Sequence, residues 1–199
     1  GNNMEFAIRE KLSGKDIKQL RKKLNLTQNE FANFCCVSNK TIERWEKSEQ
    51  ICGTINTIYE MLYNNTNLIE ELKIPAFASN FTVRLKYYEN ATLCTLIDVD
   101  EINRIIKIKN FTNDIHKRAF GINNNPVYDD YIEFLKSRCF PEERDKLKLM
   151  LRELDLPFYD PFMIVEKTQG RMAEDKFWIK IEYGGINNDW LIWQRNISR

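Results

Sequence analysis

Apolar residues recur at helical spacing in the first third of the chain. Ile17, Leu20 and Leu24 are separated by three and four residues, so they share one face of a helix. We predict this helix at residues 15–24, with its lysines on the solvated side. The same spacing recurs at residues 54–63 and predicts a further helix. The pattern therefore favours an all-α N-terminal region.

Two helix-start signals lie between these segments. Thr27 and Glu30 have the spacing of a capping box, in which the threonine oxygen accepts the Glu30 amide and the glutamate bonds back to the threonine amide. Ser38 is a favoured N-cap for another helix. Residues 36–38 then form the turn between two short helices. Such a pair is the arrangement that places one helix in the major groove of DNA.

The spacing of apolar residues changes in the second half of the chain. Ile106 and Ile108 alternate with Lys107 and Lys109, as in a strand with one solvated face. The basic side of this strand is either a second nucleic-acid surface or that solvated face. Residues 98–101 have the acidic composition of a hairpin turn. We predict strands at residues 82–88, 92–99, 102–109 and 177–183.

Helical spacing returns after these first strands. Tyr128, Tyr131 and Leu135 are separated by three and four residues. Proline is favoured at the first position of a helix, and acidic residues are favoured in its first turn. On these signals we predict helix starts at Asn125-Pro126, at Pro141 with Glu142 and Glu143, and at Asp160-Pro161. The mixture of strands and helices predicts an α+β region.

The two patterns meet at a stretch that suits neither. Residues 74–80 contain proline and small residues that break the helical spacing. We therefore predict an all-α helix-turn-helix N-terminal domain at residues 1–73, a linker at 74–80, and an α+β C-terminal domain at 81–199. The chain has 199 residues, of which 43% are hydrophobic, so two small cores can be buried.

Composition excludes several classes of protein. The longest apolar runs are too short to cross a membrane, and we expect no signal peptide. The five cysteines are scattered without a CxxC pair, which is typical of reduced thiols in a cytoplasmic protein. His116 is the only histidine, so we expect no metal site. Because no nucleophile with a base and no phosphate loop is evident, we expect neither a cofactor nor catalysis.

Positive charge is concentrated in residues 11–50, a range that includes the predicted helix pair and the helix before it. The net charge of the whole chain is only +1. Residues 11–50 contain nine lysines and arginines against five acids, a local excess of four positive charges. Such an excess is what phosphate binding requires, although a solvated helix face has the same composition.

The second helix of the pair carries a polar stripe opposite Ile42 and Trp45. Arginine and lysine recognise guanine, and asparagine recognises adenine, at the edges of the bases. The N-terminal end of a recognition helix is the part that enters the groove. A polar stripe without a nucleic-acid partner is simply exposed to water. The residues expected to face DNA are Gln28, Ser38, Asn39, Lys40, Thr41, Arg44 and Lys47.

Residues 15–62 resemble the XRE (Cro/C1-type) helix-turn-helix family, on the segments IKQLRKKLNLTQNEFA and VSNKTIERWE. The resemblance implies a homodimer that binds double-stranded DNA at an inverted repeat. It implies a phosphate contact for Gln28, and it implies base contacts for Asn39, Lys40 and Arg44.

The same resemblance places a structural ion pair between Arg21 and Glu46. The chain departs from the family at Cys36, where glycine is usual. A residue with a side chain costs about 1 kcal/mol in the left-handed conformation that this turn adopts. We therefore expect a slightly remodelled turn.

The second half of the chain offers a weaker resemblance. Residues 134–181 are similar to small accessory proteins encoded beside HipA-like kinases in Firmicutes, on a loose Arg-Pro-Arg and Trp-Ile pattern. The resemblance supplies no catalytic residues. The late aromatic residues form either a core or a partner-binding surface, and Trp190 and Trp193 are the pair expected to be exposed.

Two functions fit these observations. The first is a sequence-specific DNA-binding transcriptional regulator, an autoregulating repressor or antitoxin of a mobile element or toxin–antitoxin operon. The second is an inhibitor of a protein partner, a toxin or a host defence nuclease, acting through the C-terminal domain in the manner of an anti-CRISPR protein. In that case the N-terminal domain represses its own gene.

Overall fold

A computed structural model describes residues 4–184 of the chain. The fold divides into two compact units, with the first ending at Ile74 and the second beginning at Pro75. The first unit is helical, and the second combines an antiparallel sheet with helices. The predicted fold class is confirmed. Trp190 and Trp193 lie outside the described residues.

Five helices build the first unit. The capping box predicted before the second of them is present, because the Thr27 hydroxyl oxygen accepts the Glu30 amide at 3.2 Å and the Thr27 amide donates to the Glu30 carboxylate at 2.8 Å. Ser13 and Asp16 form the same motif before the first helix. The helices are α1 (Gly14–Lys23), α2 (Gln28–Cys35), α3 (Asn39–Lys47), α4 (Thr54–Asn64) and α5 (Leu68–Leu72).

The apolar stripes of these helices meet in one core. Ile17 and Leu20 of α1, Phe31 of α2 and Ile42 of α3 are all buried there. Leu12 joins the same core from the segment before α1. That segment is held in place by a two-way backbone bridge, in which Leu12 and residue 51 exchange amide-to-carbonyl bonds of 3.0 and 2.7 Å. Long-range contacts therefore fix both ends of the α1–α3 region.

A four-stranded antiparallel sheet organises the second unit. Its strand order is β3-β2-β1-β4, and Leu85, Ile97 and Ile108 lie side by side across β1, β2 and β3. Ile181 continues this row on β4. The last strand has the predicted bounds. The strands are β1 (Val83–Glu89), β2 (Thr92–Asp100), β3 (Ile105–Asn110) and β4 (Phe177–Tyr183).

Three α-helices contribute to the core on one face of this sheet. Tyr131 and Leu135 of one helix, and Ile164 of another, share a core with Leu85 and Ile97 of the strands. The third predicted helix start is confirmed, because the Asp160 carboxylate accepts the Met163 amide at 2.7 Å. The helices are α6 (Tyr128–Ser137), α7 (Leu147–Glu153) and α8 (Pro161–Thr168), and a 3₁₀ helix spans Ile115–Lys117.

The hairpin turn predicted at residues 98–101 lies further along the chain. β2 continues to Asp100, and the turn occupies residues 101–104. Asp98 stays in the strand because its carboxylate binds the Arg84 guanidinium of β1 at 2.7 and 2.8 Å, with both side chains buried. Asp100 supplies the turn chemistry instead, since its carboxylate accepts the Asn103 amide at 3.0 Å.

Two predicted helix starts are wrong. α6 begins at Tyr128 rather than at Pro126. The Asp130 carboxylate accepts the Val127 amide at 2.8 Å, so Val127 is the cap that precedes the helix. α7 begins at Leu147 rather than at Pro141. The residue before it, Lys146, has a left-handed backbone with φ of 67°, which no residue inside a right-handed helix can adopt.

Glu142 and Glu143 therefore lie in the turns before α7 and not in its first turn. Their charges cannot act on the dipole of that helix as predicted, because this effect is confined to the first turn.

Candidate nucleic-acid interface

The turn between α2 and α3 is built around Cys36. This residue has a left-handed backbone, with φ of 56° and ψ of 40°. The conformation lets the Cys36 amide donate to the Asn33 carbonyl at 3.2 Å, and the Val37 amide to the Ala32 carbonyl at 3.0 Å. The chain thus reverses at the position where a glycine was expected and a cysteine is found. The turn satisfies the carbonyl groups left free at the end of α2.

Ser38 then starts α3. Its hydroxyl oxygen accepts the Thr41 amide at 3.2 Å and lies 2.9 Å from the Thr41 hydroxyl. Both side chains are thereby fixed at the N-terminal end of the helix. That end is the part of a recognition helix that approaches base edges.

The two sides of α3 have opposite roles. Ile42 is fully buried in the core of the first unit, and Trp45 packs partly buried against the same core. Lys40, Arg44 and Lys47 lie exposed on the other side. The structure therefore presents three cations in a row on a helix whose inner side is anchored.

The beginning of α1 approaches the end of α3 very closely. A Cβ atom at Gly14 would lie 2.4 Å from the carbonyl oxygen of Glu46, and the Gly14 amide donates to the Ser48 carbonyl at 2.8 Å. No larger residue fits at this position without moving α3. Sequence reasoning missed this role, because Ser13-Gly14 reads locally as an ordinary helix start.

Glu46 connects three helices. Its carboxylate accepts hydrogen bonds from Arg21 of α1, at 2.6 and 3.2 Å, and from the Gln28 amide of α2, at 2.9 Å. Arg21 also donates to the Leu26 carbonyl at 3.0 Å. Burial disfavours the ionised carboxyl of Glu46, but the hydrogen bonds from Arg21 and Gln28 outweigh it and lower its pKa. An ionised Glu46 therefore holds the pair α2–α3 on α1.

The network also determines where Gln28 lies. It is the first residue of α2, half-buried, with its side-chain amide turned to α3. Asn39 is similarly half-buried, and its amide nitrogen donates to the Glu43 carboxylate at 2.8 Å. The seven residues predicted to face DNA thus fall into two groups. Ser38, Lys40, Arg44 and Lys47 are exposed, whereas Gln28, Asn39 and Thr41 are half-buried.

Other kinds of site are not found in the part of the chain that the structure describes. Within residues 4–184, no group of three or more His, Cys, Asp or Glu side chains is placed to hold a metal ion. His116 is exposed on the 3₁₀ helix. None of the described helices has both the length and the apolar character needed to span a membrane.

Comparison with known families supports the geometry of the first unit. Residues 17–52 match the model of the helix-turn-helix family, of the XRE type. This range covers α2, α3 and the turn between them. No curated protein and no solved structure matches the chain. Residues 17–52 are therefore similar to the helix-turn-helix of XRE-type regulators, a family whose helix pair binds DNA.

Proposed function

We propose that this protein is a sequence-specific repressor that binds, as a homodimer, to an inverted repeat in double-stranded DNA. The observation that carries the proposal is the anchored α3 helix, with Ile42 buried on one side and Lys40, Arg44 and Lys47 exposed on the other. Helix-turn-helix dimers contact half-sites about one helical turn, roughly 34–36 Å, apart.

Within the proposed interface, some side chains are suited to contact base edges and others to contact the DNA backbone. Lys40, in the first turn of α3, and Arg44, one turn further on, are exposed and suit guanine, which presents two acceptors in the major groove. Ser38, Asn39 and Thr41 surround the N-terminal end of the helix. They complete the surface that enters the groove.

Two further side chains suit the DNA backbone. Gln28 begins α2, where free backbone amides favour a phosphate, and its side-chain amide nitrogen has a second N–H donor beyond the one bonded to Glu46. Lys47 is exposed at the last turn of α3. Contacts of this kind position the protein without reading sequence, and they make its affinity fall with salt.

The biological role that we propose is autoregulation of an operon in a mobile element or toxin–antitoxin system. The second unit has its own buried apolar core, distinct from the core that holds the helix pair. We assign it the role of an effector or partner-binding domain. A repressor or antitoxin combines such a domain with a DNA-binding one.

A patch on the second unit favours inhibition of a protein partner as a second candidate. Arg104 in the β2–β3 turn contacts the start of α6, with its guanidinium 2.7 Å from the Asp129 carboxylate. Ile102, Ile105 and Val127 flank this contact and are each more than half exposed. Exposed apolar side chains grouped in this way are typical of a protein-binding surface.

Selection of bound duplexes from random DNA tests the proposed repressor. We expect one inverted repeat to be enriched. Arg44→Ala should weaken binding to that repeat by about 1–3 kcal/mol and relax the preference at one base pair. Gln28→Ala should weaken binding to all sequences similarly, and Arg152→Ala, at an exposed position of the second unit, is the matched control. Enrichment of no sequence, or unchanged affinity of both variants, would refute DNA recognition by this surface.

A further inference from the structure

The DNA-facing side of α3 contains one acidic residue. Glu43 lies three residues after Lys40 and four before Lys47, so it shares their side of the helix. A carboxylate here is repelled by the phosphates that the neighbouring lysines attract. A carboxylate can nevertheless lie against bound DNA if a base donates a hydrogen bond to it, because that bond offsets the repulsion from the phosphates. Its chemistry therefore differs from that of every other residue in the interface.

The structure gives the Glu43 carboxylate a defined neighbour. The Asn39 amide nitrogen donates to Glu43 Oε1 at 2.8 Å. Asn39 Oδ1 is buried, and no described residue donates a hydrogen bond to it. Reading adenine requires both ends of an asparagine amide, the oxygen for N6 and the nitrogen for N7. With its oxygen turned away from solvent, Asn39 is arranged to hold Glu43 and not to read a base.

We infer that Glu43 reads cytosine in the major groove and that Asn39 is its positioning residue. The inference rests on the proposed DNA binding by α3. A carboxylate has two oxygens, each able to accept two hydrogen bonds, so Glu43 keeps acceptor capacity beyond its bond to Asn39.

The chemistry of the base edges selects cytosine. Cytosine presents an amino donor at N4, whereas guanine and thymine present acceptors that repel a carboxylate. Adenine has an amino donor at N6, but its N7 acceptor lies beside it. Glu43 therefore adds to the interface a preference that Lys40 and Arg44, as donors, cannot supply.

Selection from random duplexes, carried out with the full chain and its variants, tests this assignment. The unmodified protein should prefer cytosine at one position in each half-site by about 5- to 150-fold, the range of a good base contact. Glu43→Gln should abolish that preference and shift it toward adenine, because glutamine pairs with N6 and N7. Asn39→Ala should weaken the cytosine preference and leave the other positions unchanged.

Glu49→Gln is the control for charge, since Glu49 is an exposed acid just beyond α3. It should keep the cytosine preference while changing general affinity. If Glu43→Gln kept every base preference and changed affinity only as Glu49→Gln does, Glu43 would not be a reader. If Asn39→Ala instead lost an adenine preference at another position, Asn39 would read DNA itself. Selection of no sequence by the unmodified protein would overturn both this inference and the proposed repressor.

Discussion

At the scale of single residues, the helix-turn-helix tolerates a side chain where its geometry favours glycine. Cys36 has a left-handed backbone with φ of 56°, and its thiol is exposed. The exposed position means that the side chain itself meets no tight packing. The unfavourable contribution at this position is therefore one of the backbone, from the Cβ atom against its own carbonyl.

Cys36→Gly should stabilise the first unit by up to about 1 kcal/mol, because glycine adopts this conformation without the steric penalty of a Cβ. Its greater entropy in the unfolded chain keeps the gain below the full penalty. Denaturant unfolding of the full chain measures the difference. Cys36→Ala removes the thiol but keeps Cβ, so it should show no gain. Equal stability of the two variants would contradict the argument.

At the scale of elements, α3 is held by a carboxylate in addition to its buried apolar side. The side chain of Glu46 is 7% exposed, and it accepts hydrogen bonds from both Arg21 on α1 and Gln28 on α2. The close approach at Gly14 adds a backbone contact between α1 and α3. Together these contacts fix the orientation of α3, which the proposed reading of base edges requires.

The first unit should lose stability as pH falls below about 4.5, the ordinary pKa of a glutamate. The folded-state pKa of Glu46 lies below that value, so its contribution is complete above it and disappears as the pH falls toward the folded-state pKa. Hydrogen bonds from Ser13 lower the pKa of Asp16, and hydrogen bonds from Thr27 lower the pKa of Glu30. Both carboxylates therefore add to the same loss of stability.

Denaturant unfolding between pH 7 and pH 3, followed by NMR signals of the first unit, measures this dependence. Glu46→Gln should be less stable at neutral pH and should have a shallower acid dependence, because it no longer carries the group that titrates. A pH dependence equal in slope to that of the unmodified protein would show that the Glu46 network contributes nothing to acid sensitivity.

At the scale of the whole molecule, residues 4–184 form two separate cores. Leu20 belongs to the core of the helical unit, and Leu85 to the core of the sheet unit, with each side chain at most 2% exposed. Burial of apolar side chains is the main favourable contribution to folding, so each unit contains its own source of stability. DNA recognition and the role of the second unit are therefore assigned to structurally distinct parts.

Leu85→Ala should destabilise the second unit by about 2–5 kcal/mol and leave the first unit protected, since the cavity forms in one core only. Leu20→Ala is the matched variant and should have the reverse effect. Amide hydrogen exchange of the full chain reports each unit separately. Loss of protection in both units with either variant would show that the two cores fold as one.

Local signals predicted much of the first unit and some of the second. The Thr27–Glu30 box, the Ser38 cap and β4 depend on residues only a few positions apart, and all three are present. The position of α7 was wrong because proline and acids at residues 141–143 satisfy the local rule for a helix start. Lys146 instead has a left-handed backbone conformation, so the helix can begin only after it.

By itself, then, the sequence determined the helix pair, the change from helices to strands in the second half of the chain, and the polar stripe on α3. These depend on spacing and on caps, whose physical causes are local. Only the tertiary structure decided that Asp98 belongs to a strand paired with Arg84, and that Gly14 must be small beneath α3. It also decided that Glu46 joins three helices. Those roles depend on partners distant in the chain, which no local pattern records.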